Sequence, residues 1–154
     1  MKKAIVFVCT GNVCRSPMAE FYLRHFLGTK TKWEVFSSGT GACFGSHASE
    51  YAVDVMKEIG IDISSHISRP LNVDLVGEAD LIVVMAQHHA EFIRHRFTQY
   101  REKVFLLKSF GPDGRGDIDD PMGGSLEQYR CTRDEIMSCM HGLHDFMNKL
   151  EFKS

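Results

Sequence analysis

Residues 4–27 constrain the fold most, because they run from a strand-like segment into a helix-like segment through one short loop. The five consecutive apolar residues at 4–8 predict a buried strand. Residues 17–27 predict a helix, with Ser16 as its cap and Pro17 in its first position. The loop therefore lies where a strand ends and a helix begins, and its residues are Cys9, Thr10, Gly11, Asn12, Val13, Cys14, Arg15 and Ser16.

The Cys9 loop (residues 9–16) has the chemistry of a binding site for a tetrahedral oxyanion. Backbone N–H groups in a tight loop and at a helix N-terminus converge and attract negative charge. Gly11 allows the chain to curl, and Asn12 tolerates a positive φ. This field favours the thiolate of Cys9, and the Arg15 guanidinium can hold two phosphate oxygens at once. Because Ser16 can also donate its proton to the sulfur, the loop predicts phosphoryl transfer to Cys9.

Strand-like and helix-like segments alternate along the rest of the chain. Strands are predicted at residues 33–36, 80–85 and 103–107, and helices at 49–59 and 88–97. A capping box of Ser125 and Gln128 opens a last helix that continues to about residue 150. This alternation predicts one α/β domain over residues 1–154, with three layers: a four-stranded parallel sheet and helices on both faces. The expected strand order is 2-1-3-4, and the Cys9 loop then lies at the carboxyl edge of the sheet, where such folds bind ligands.

Composition excludes several classes of function. A net charge of −2 provides no attraction to nucleic acid or to an anionic membrane surface. No apolar run approaches the roughly 18 residues that a membrane-spanning helix needs. The five cysteines are odd in number and lack the spacing of a disulfide scaffold, which indicates a reducing cytoplasm. We therefore expect neither nucleic acid nor membrane as a partner.

Residues 8–20, VCTGNVCRSPMAE, resemble the signature of the low-molecular-weight protein tyrosine phosphatases. Far downstream, Asp119-Asp120-Pro121 resembles the segment in which this family places its general acid, and the similarity runs from the first strand to the last helix. The resemblance implies a protein phosphatase that needs no metal and no cofactor. It also implies a phosphoprotein or phosphopeptide substrate, inorganic phosphate as product, and a monomer or weak homo-oligomer.

The resemblance also implies roles for individual residues. Cys9 would attack phosphorus and form a phosphocysteine, and Arg15 would stabilise the charge on the transferring group. Asp120 would protonate the leaving group and then activate water, with Asp119 as the alternative because adjacent carboxylates can share a role. The phosphate-binding residues would be Thr10, Gly11, Asn12, Val13, Cys14 and Ser16.

Ser37 and His66 match family positions that hydrogen-bond into the loop. For His66 alone, an ordinary capped histidine is an equally good interpretation. In the family, a cysteine at the position of Cys14 can form a reversible disulfide with the nucleophile Cys9, and simple packing under the loop is the alternative. The histidines lack acidic or thiolate partners at ligand spacing, so no metal site is predicted.

The choice of substrate is open between two residue types. Family members that take phosphotyrosine often carry aromatic residues after the proline of the acid segment, but here Met122 follows it, with Phe44 as another candidate wall. The sequence after Asp120 resembles the bacterial branch that includes protein arginine phosphatases. Those enzymes have threonine at the position of Val13, whereas tyrosine-type members have isoleucine. Because valine lacks a hydroxyl that could orient a guanidinium, phosphotyrosine is the prediction and phosphoarginine the alternative.

Two further functions fit the same loop. Arsenate reductases use this oxyanion loop but need two further cysteines close together in sequence, and residues 81–91 contain none. A catalytically silent phosphate-binding module is disfavoured, because Cys9, Arg15 and Asp120 are all present.

Overall fold

The computed structural model describes residues 2–152, without the side chain of residue 152. Residues 1, 153 and 154 of the predicted domain lie outside the described residues. The strands are β1 (Lys3–Cys9), β2 (Trp33–Gly39), β3 (Leu81–Val84) and β4 (Val104–Leu106). They form a parallel sheet in the order β2-β1-β3-β4, which confirms the predicted class and strand order.

Within residues 2–152, six α-helices connect and cover the strands: α1 (Arg15–Leu27), α2 (Glu50–Lys57), α3 (Val73–Glu78), α4 (Gln87–Arg96), α5 (Leu126–Ser138) and α6 (Met140–Phe152). Two 3₁₀ segments, Thr98–Lys103 and Leu107–Phe110, flank β4. Neither these segments nor α3 was predicted, because each is too short to show a helical period in its sequence.

Helices cover both faces of the sheet. On one face, Ile5 and Phe7 of β1 pack with apolar residues of α1, α2, α5 and α6. On the other face, Val6 and Val8 of the same strand pack with apolar residues of α3 and α4. Successive side chains of a strand point to opposite faces, so a strand covered on both sides must be apolar throughout. The unbroken apolar runs of β1 and β3 have this cause.

The predicted last helix is two helices, and the prediction of one was wrong. Its start is as expected: the Ser125 hydroxyl accepts from the Gln128 N–H at 3.2 Å, and the Gln128 side chain accepts from the Ser125 N–H at 2.7 Å. Helix α5 ends at Ser138, with Cys139 as its C-terminal cap, next to a 3₁₀ segment packed against α6. A Cβ on Gly142 would overlap the Phe110 carbonyl oxygen, so this glycine permits the close approach. Apolar periodicity continues across the junction and could not reveal the break.

Candidate active site

The carboxyl edge of the sheet positions the Cys9 loop. Cys9 ends β1 and pairs in register with Gly39, which ends β2. The Thr40 N–H donates to the Cys9 carbonyl at 2.9 Å, and the Gly41 N–H donates to the Thr10 carbonyl at 3.0 Å. A Cβ on Gly39 would overlap the Thr10 carbonyl oxygen. Only glycine therefore lets β2 lie this close to the loop.

Replacing Gly39 with alanine should destabilise the protein by about 1–3 kcal/mol, the usual cost of forcing extra volume into packed structure. Urea denaturation measures this loss. Gly41→Ala is the matched control, because its Cβ would meet the Thr10 methyl carbon at an ordinary 3.6 Å. An equal loss of unfolding free energy in both variants would contradict the packing explanation.

Asn12 sets the curvature of the loop. Its φ is +57°, and it is the one non-glycine residue with positive φ among the described residues. Gly11, which the sequence suggested for the curl, has no positive φ. The Asn12 conformation is held from both sides: its carbonyl accepts from His66 Nε2 at 2.7 Å, and its side-chain oxygen accepts from the Arg69 N–H at 3.0 Å. The loop shape therefore depends on residues far away in sequence.

The Asn12 amide connects the loop to β2. Its Nδ2 donates to the Ser16 hydroxyl at 2.8 Å and to the Ser37 hydroxyl at 2.9 Å. The Ser37 hydroxyl in turn donates to a Glu20 carboxylate oxygen at 2.5 Å, and Glu20 pairs with Arg24 at 2.8 Å. Glu20 is buried, and these two partners satisfy its charge. The structure thus brings the predicted residues Ser37 and Asn12 together through a direct hydrogen bond.

Ser16 is not the helix cap that the sequence suggested. Helix α1 begins at Arg15 with Cys14 in the cap position, so Ser16 lies within the first turn. Its hydroxyl lies 2.9 Å from the Cys9 sulfur. Because the Asn12 amide already donates to this hydroxyl, Ser16 keeps its own proton for an acceptor. The sulfur is the nearer acceptor, since the Ser38 carbonyl is 3.4 Å away.

Arg15 and Asp120 meet beside the loop. The buried Arg15 guanidinium donates to the Ile118 carbonyl at 2.9 Å and lies 3.6 Å from an Asp120 carboxylate oxygen. The Ile118 N–H donates to the carbonyl of Met85, just after β3, at 2.8 Å. The Asp120 side chain is 51% exposed, and it also accepts from the Met122 N–H at 3.1 Å. This backbone hydrogen bond to the residue after β3 holds the segment that contains Asp120 beside the loop.

The other acidic and apolar candidates lie further out. The Asp119 side chain is exposed, and it is the carbonyl of this residue that accepts from the Thr132 hydroxyl at 3.4 Å. Phe44 is 79% exposed and Met122 is 55% exposed. Both apolar side chains are therefore accessible to a ligand.

The side chain of Cys14 in the loop is buried and faces two hydroxyl groups. Its sulfur is 3.2 Å from the Ser49 hydroxyl and 3.4 Å from the Tyr129 hydroxyl. Burial raises the pKa of the Cys14 thiol and raises that of Tyr129 to about 12, so both groups keep their protons at neutral pH. All five cysteines are free in the described structure. A reversible bond between Cys14 and Cys9 stays a prediction.

Residues 2–152 contain no group of three or more histidine, cysteine or acidic side chains that could hold a metal ion. The same part of the chain contains no helix of sufficient length and apolar character to cross a membrane.

Comparison with known proteins identifies the family. The model of the low molecular weight phosphotyrosine protein phosphatases matches residues 4–153, and the chain belongs to this family. It is 38% identical over 146 residues to a protein-arginine-phosphatase of Bacillus subtilis, covering 94% of this chain and 97% of that protein. It is 44% identical over 121 residues to a probable low molecular weight protein-tyrosine-phosphatase, EpsP, of Ralstonia solanacearum, covering 79% of each. An arsenate reductase of Brevibacillus brevis is 37% identical over 135 residues, covering 88% of this chain and 89% of that protein.

Solved structures agree with this membership. The YwlE arginine phosphatase from Geobacillus stearothermophilus superposes with a TM-score of 0.89 at 38% identity, covering 98% of this chain and 96% of that chain. A mutant YwlE arginine phosphatase with a phosphorylated active-site serine superposes with a TM-score of 0.86 at 38% identity. The match covers 95% of this chain and 96% of that chain. The chain is thus a protein phosphatase of a family in which a phosphorylated enzyme has been captured.

Three residues of the site were missed from the sequence. Arg69 and Glu20 hold the loop through Asn12 and Ser37, as described above. His89, at the start of α4, contacts Thr10 and is fully buried. One signal could have found it: His89 closely follows the apolar run of β3, so it starts a helix at the same sheet edge as Cys9.

Proposed function

We propose that the chain hydrolyses phosphotyrosine in phosphoproteins, with Cys9 as nucleophile. The observation that carries this is that Cys9 and Arg15 belong to one loop at the sheet edge, where the Arg15 guanidinium lies 3.6 Å from an Asp120 carboxylate oxygen. In the first step an S–P bond forms, the ester P–O bond breaks, and Asp120 gives its proton to the leaving oxygen. In the second step water attacks phosphorus, Asp120 takes a proton from it, and the S–P bond breaks.

Arg15 is suited to stabilise the transferring phosphoryl group. Its bond to the Ile118 carbonyl uses one of five guanidinium donors and fixes the plane of the group. A planar fork with a fixed orientation binds two phosphoryl oxygens at once. A preorganised donor of this kind acts mainly on the charge of the transition state.

Ser16 is suited to assist the sulfur in both steps. Its proton, left for the sulfur by the donation from Asn12, stabilises a thiolate before attack. The same hydrogen bond stabilises the sulfur again as it leaves phosphorus. Asn12 and Ser16 therefore belong to the proposed machinery, with Ser37 and His66 holding Asn12 in place.

Two features support phosphotyrosine as the substrate residue. Val13 of the loop is half-buried and packs against the apolar core, so its side chain offers no polar group to a ligand. Phe44 lies in the segment 41–49, whose ends donate to the carbonyls of Thr10 and Val13 at 3.0 and 2.9 Å. Both ends of the segment that carries Phe44 are therefore bonded to the loop. An exposed aromatic ring there can pack against the ring of a tyrosine.

Phosphoarginine is the second candidate. The half-exposed Asp120 carboxylate could pair with the guanidinium of a bound phosphoarginine. The likeness to two arginine phosphatases of known sequence or structure also favours it. Val13, without a hydroxyl, opposes it.

Initial rates on matched phosphotyrosine and phosphoarginine peptides test the choice. The unmodified chain should prefer phosphotyrosine. Val13→Thr should shift the ratio of kcat/KM toward phosphoarginine by about tenfold, the effect of one added hydrogen bond. Val13→Ile, which keeps the site apolar, is the matched control and should leave the preference in place. Faster hydrolysis of phosphoarginine by the unmodified chain would overturn this choice of substrate residue.

The cysteines support hydrolysis over arsenate reduction. The stretch from β3 into α4 contains no cysteine that could accept a disulfide from Cys9. Cys14 is buried and hydrogen-bonded, and Cys139 is buried at the junction of α5 and α6. Five free thiols also support a reducing cytoplasm as the place of action.

A further inference from the structure

His89 is a fully buried histidine whose tautomer can be assigned from its contacts. Its Nδ1 lies 3.1 Å from the backbone nitrogen of Ala86, at the start of α4. A backbone N–H can only donate, so Nδ1 accepts this hydrogen bond. In a neutral imidazole the remaining proton then resides on Nε2.

The Nε2 proton has one recipient. His89 Nε2 lies 2.8 Å from the Thr10 hydroxyl, so Nε2–H donates and the Thr10 oxygen accepts. The Thr10 hydroxyl cannot return its proton to the ring, because both ring nitrogens are already engaged. Thr10 directly follows Cys9, and its side chain is exposed at the loop. Its proton is therefore directed to whatever binds at the mouth of the loop.

The surroundings keep His89 neutral. Burial, together with the nearby His88 and Arg15, lowers the pKa of His89 to about 3. Protonation would also place a hydrogen on Nδ1, opposite the Ala86 N–H. The ring thus keeps one hydrogen-bonding direction throughout the roughly neutral range in which free histidine changes charge.

We propose that His89 is a positioning residue for catalysis: it fixes the Thr10 hydroxyl as a donor to an oxygen of the bound phosphate ester. The inference rests on the proposed function, because it assumes that the Cys9 loop binds such an ester. It adds a polar contact at the mouth of the loop that the backbone amides do not supply. The contact reaches the site through a helix on the opposite face of the sheet from α1.

Steady-state hydrolysis of p-nitrophenyl phosphate tests the pair. Thr10→Val keeps the side-chain shape and should lower kcat/KM about tenfold, as expected for one hydrogen bond. Thr10→Ser should recover most of that loss. His89→Leu should cost about the same as Thr10→Val. His95→Leu, an exposed histidine on the same helix, should leave kcat/KM unchanged.

The double variant separates a positioning role from general damage to the fold. If His89 acts through Thr10, adding His89→Leu to Thr10→Val should lower kcat/KM little further. Independent losses that multiply would overturn the inference. Should His89→Leu fold poorly, His89→Gln retains one donor and one acceptor, and it should keep kcat/KM within about threefold of the unmodified chain.

The tautomer has its own spectroscopic test. Nitrogen-15 NMR of the His89 ring should show a protonated Nε2 and an unprotonated Nδ1, and both states should stay unchanged between about pH 5 and 8. A protonated Nδ1, or a titration within that range, would overturn the inference.

No turnover by the unmodified chain would refute the proposed function. Turnover by that chain together with unchanged kcat/KM in Thr10→Val would refute this inference alone.

Discussion

Cys9→Ser should reduce turnover of p-nitrophenyl phosphate by at least about 10⁴-fold, since removal of an enzyme nucleophile has effects of this order or larger. A serine hydroxyl is not ionised at neutral pH, and the neighbouring Ser16 hydroxyl is a donor rather than a base. The loop, Arg15 and Asp120 would remain, so substrate binding should survive. Steady-state rates measure the loss, and binding of inorganic phosphate by calorimetry measures what remains.

Cys131→Ser is the matched control for this substitution. Cys131 is exposed on α5, so its replacement should alter neither rate nor melting temperature. The unmodified enzyme, quenched during turnover, should carry phosphate on Cys9 that mass spectrometry detects. Retention of a tenth or more of the rate in Cys9→Ser, or phosphate on another residue, would contradict the proposed mechanism.

Asp120→Asn should slow hydrolysis of phenyl phosphate by about 10²–10⁴-fold, the contribution typical of general acid catalysis. For 2,4-dinitrophenyl phosphate the loss should be about tenfold or less, because that leaving group departs without a proton. Asparagine keeps the size of the side chain and can still accept the Met122 N–H. The ratio of the two losses therefore reports proton donation rather than a change of shape.

Asp119→Asn discriminates between the two adjacent carboxyl groups. The Asp119 side chain is exposed, whereas Asp120 lies 3.6 Å from Arg15. We expect Asp119→Asn to keep both rates within about threefold, the range of a surface substitution. Equal losses for both substrates in Asp120→Asn, or a larger effect at Asp119, would show that the acid is misassigned.

The parts predicted well depend on contiguous sequence. The apolar run of β1 indicates burial on both faces by itself, and the capping box at Ser125 and Gln128 requires only residues three apart. The Cys9 loop is likewise a local arrangement, which is why a short segment indicated the family. The role of Asp120 as general acid stays a prediction from the resemblance, because spacing alone does not distinguish it from the neighbouring carboxylates.

The parts that were missed depend on contacts between distant residues. The Arg69 N–H donates to the Asn12 side chain across 57 positions of sequence, and His89 contacts Thr10 across 79. Serine before proline predicts a helix cap at Ser16, yet the Ser16 hydroxyl instead bonds to the Asn12 amide and lies against the Cys9 sulfur. No property of the local sequence identifies these distant hydrogen-bond partners.

The amino-acid sequence by itself determined the alternation of strands and helices and placed a cysteine loop at the end of the first strand. Both depend on local periodicity and backbone preference, which neighbouring residues control. Only the tertiary structure decided which side chains hold that loop and in which direction each hydrogen bond runs. A donor and an acceptor brought together by folding are separated along the chain, and burial then leaves each of them few alternatives to pairing.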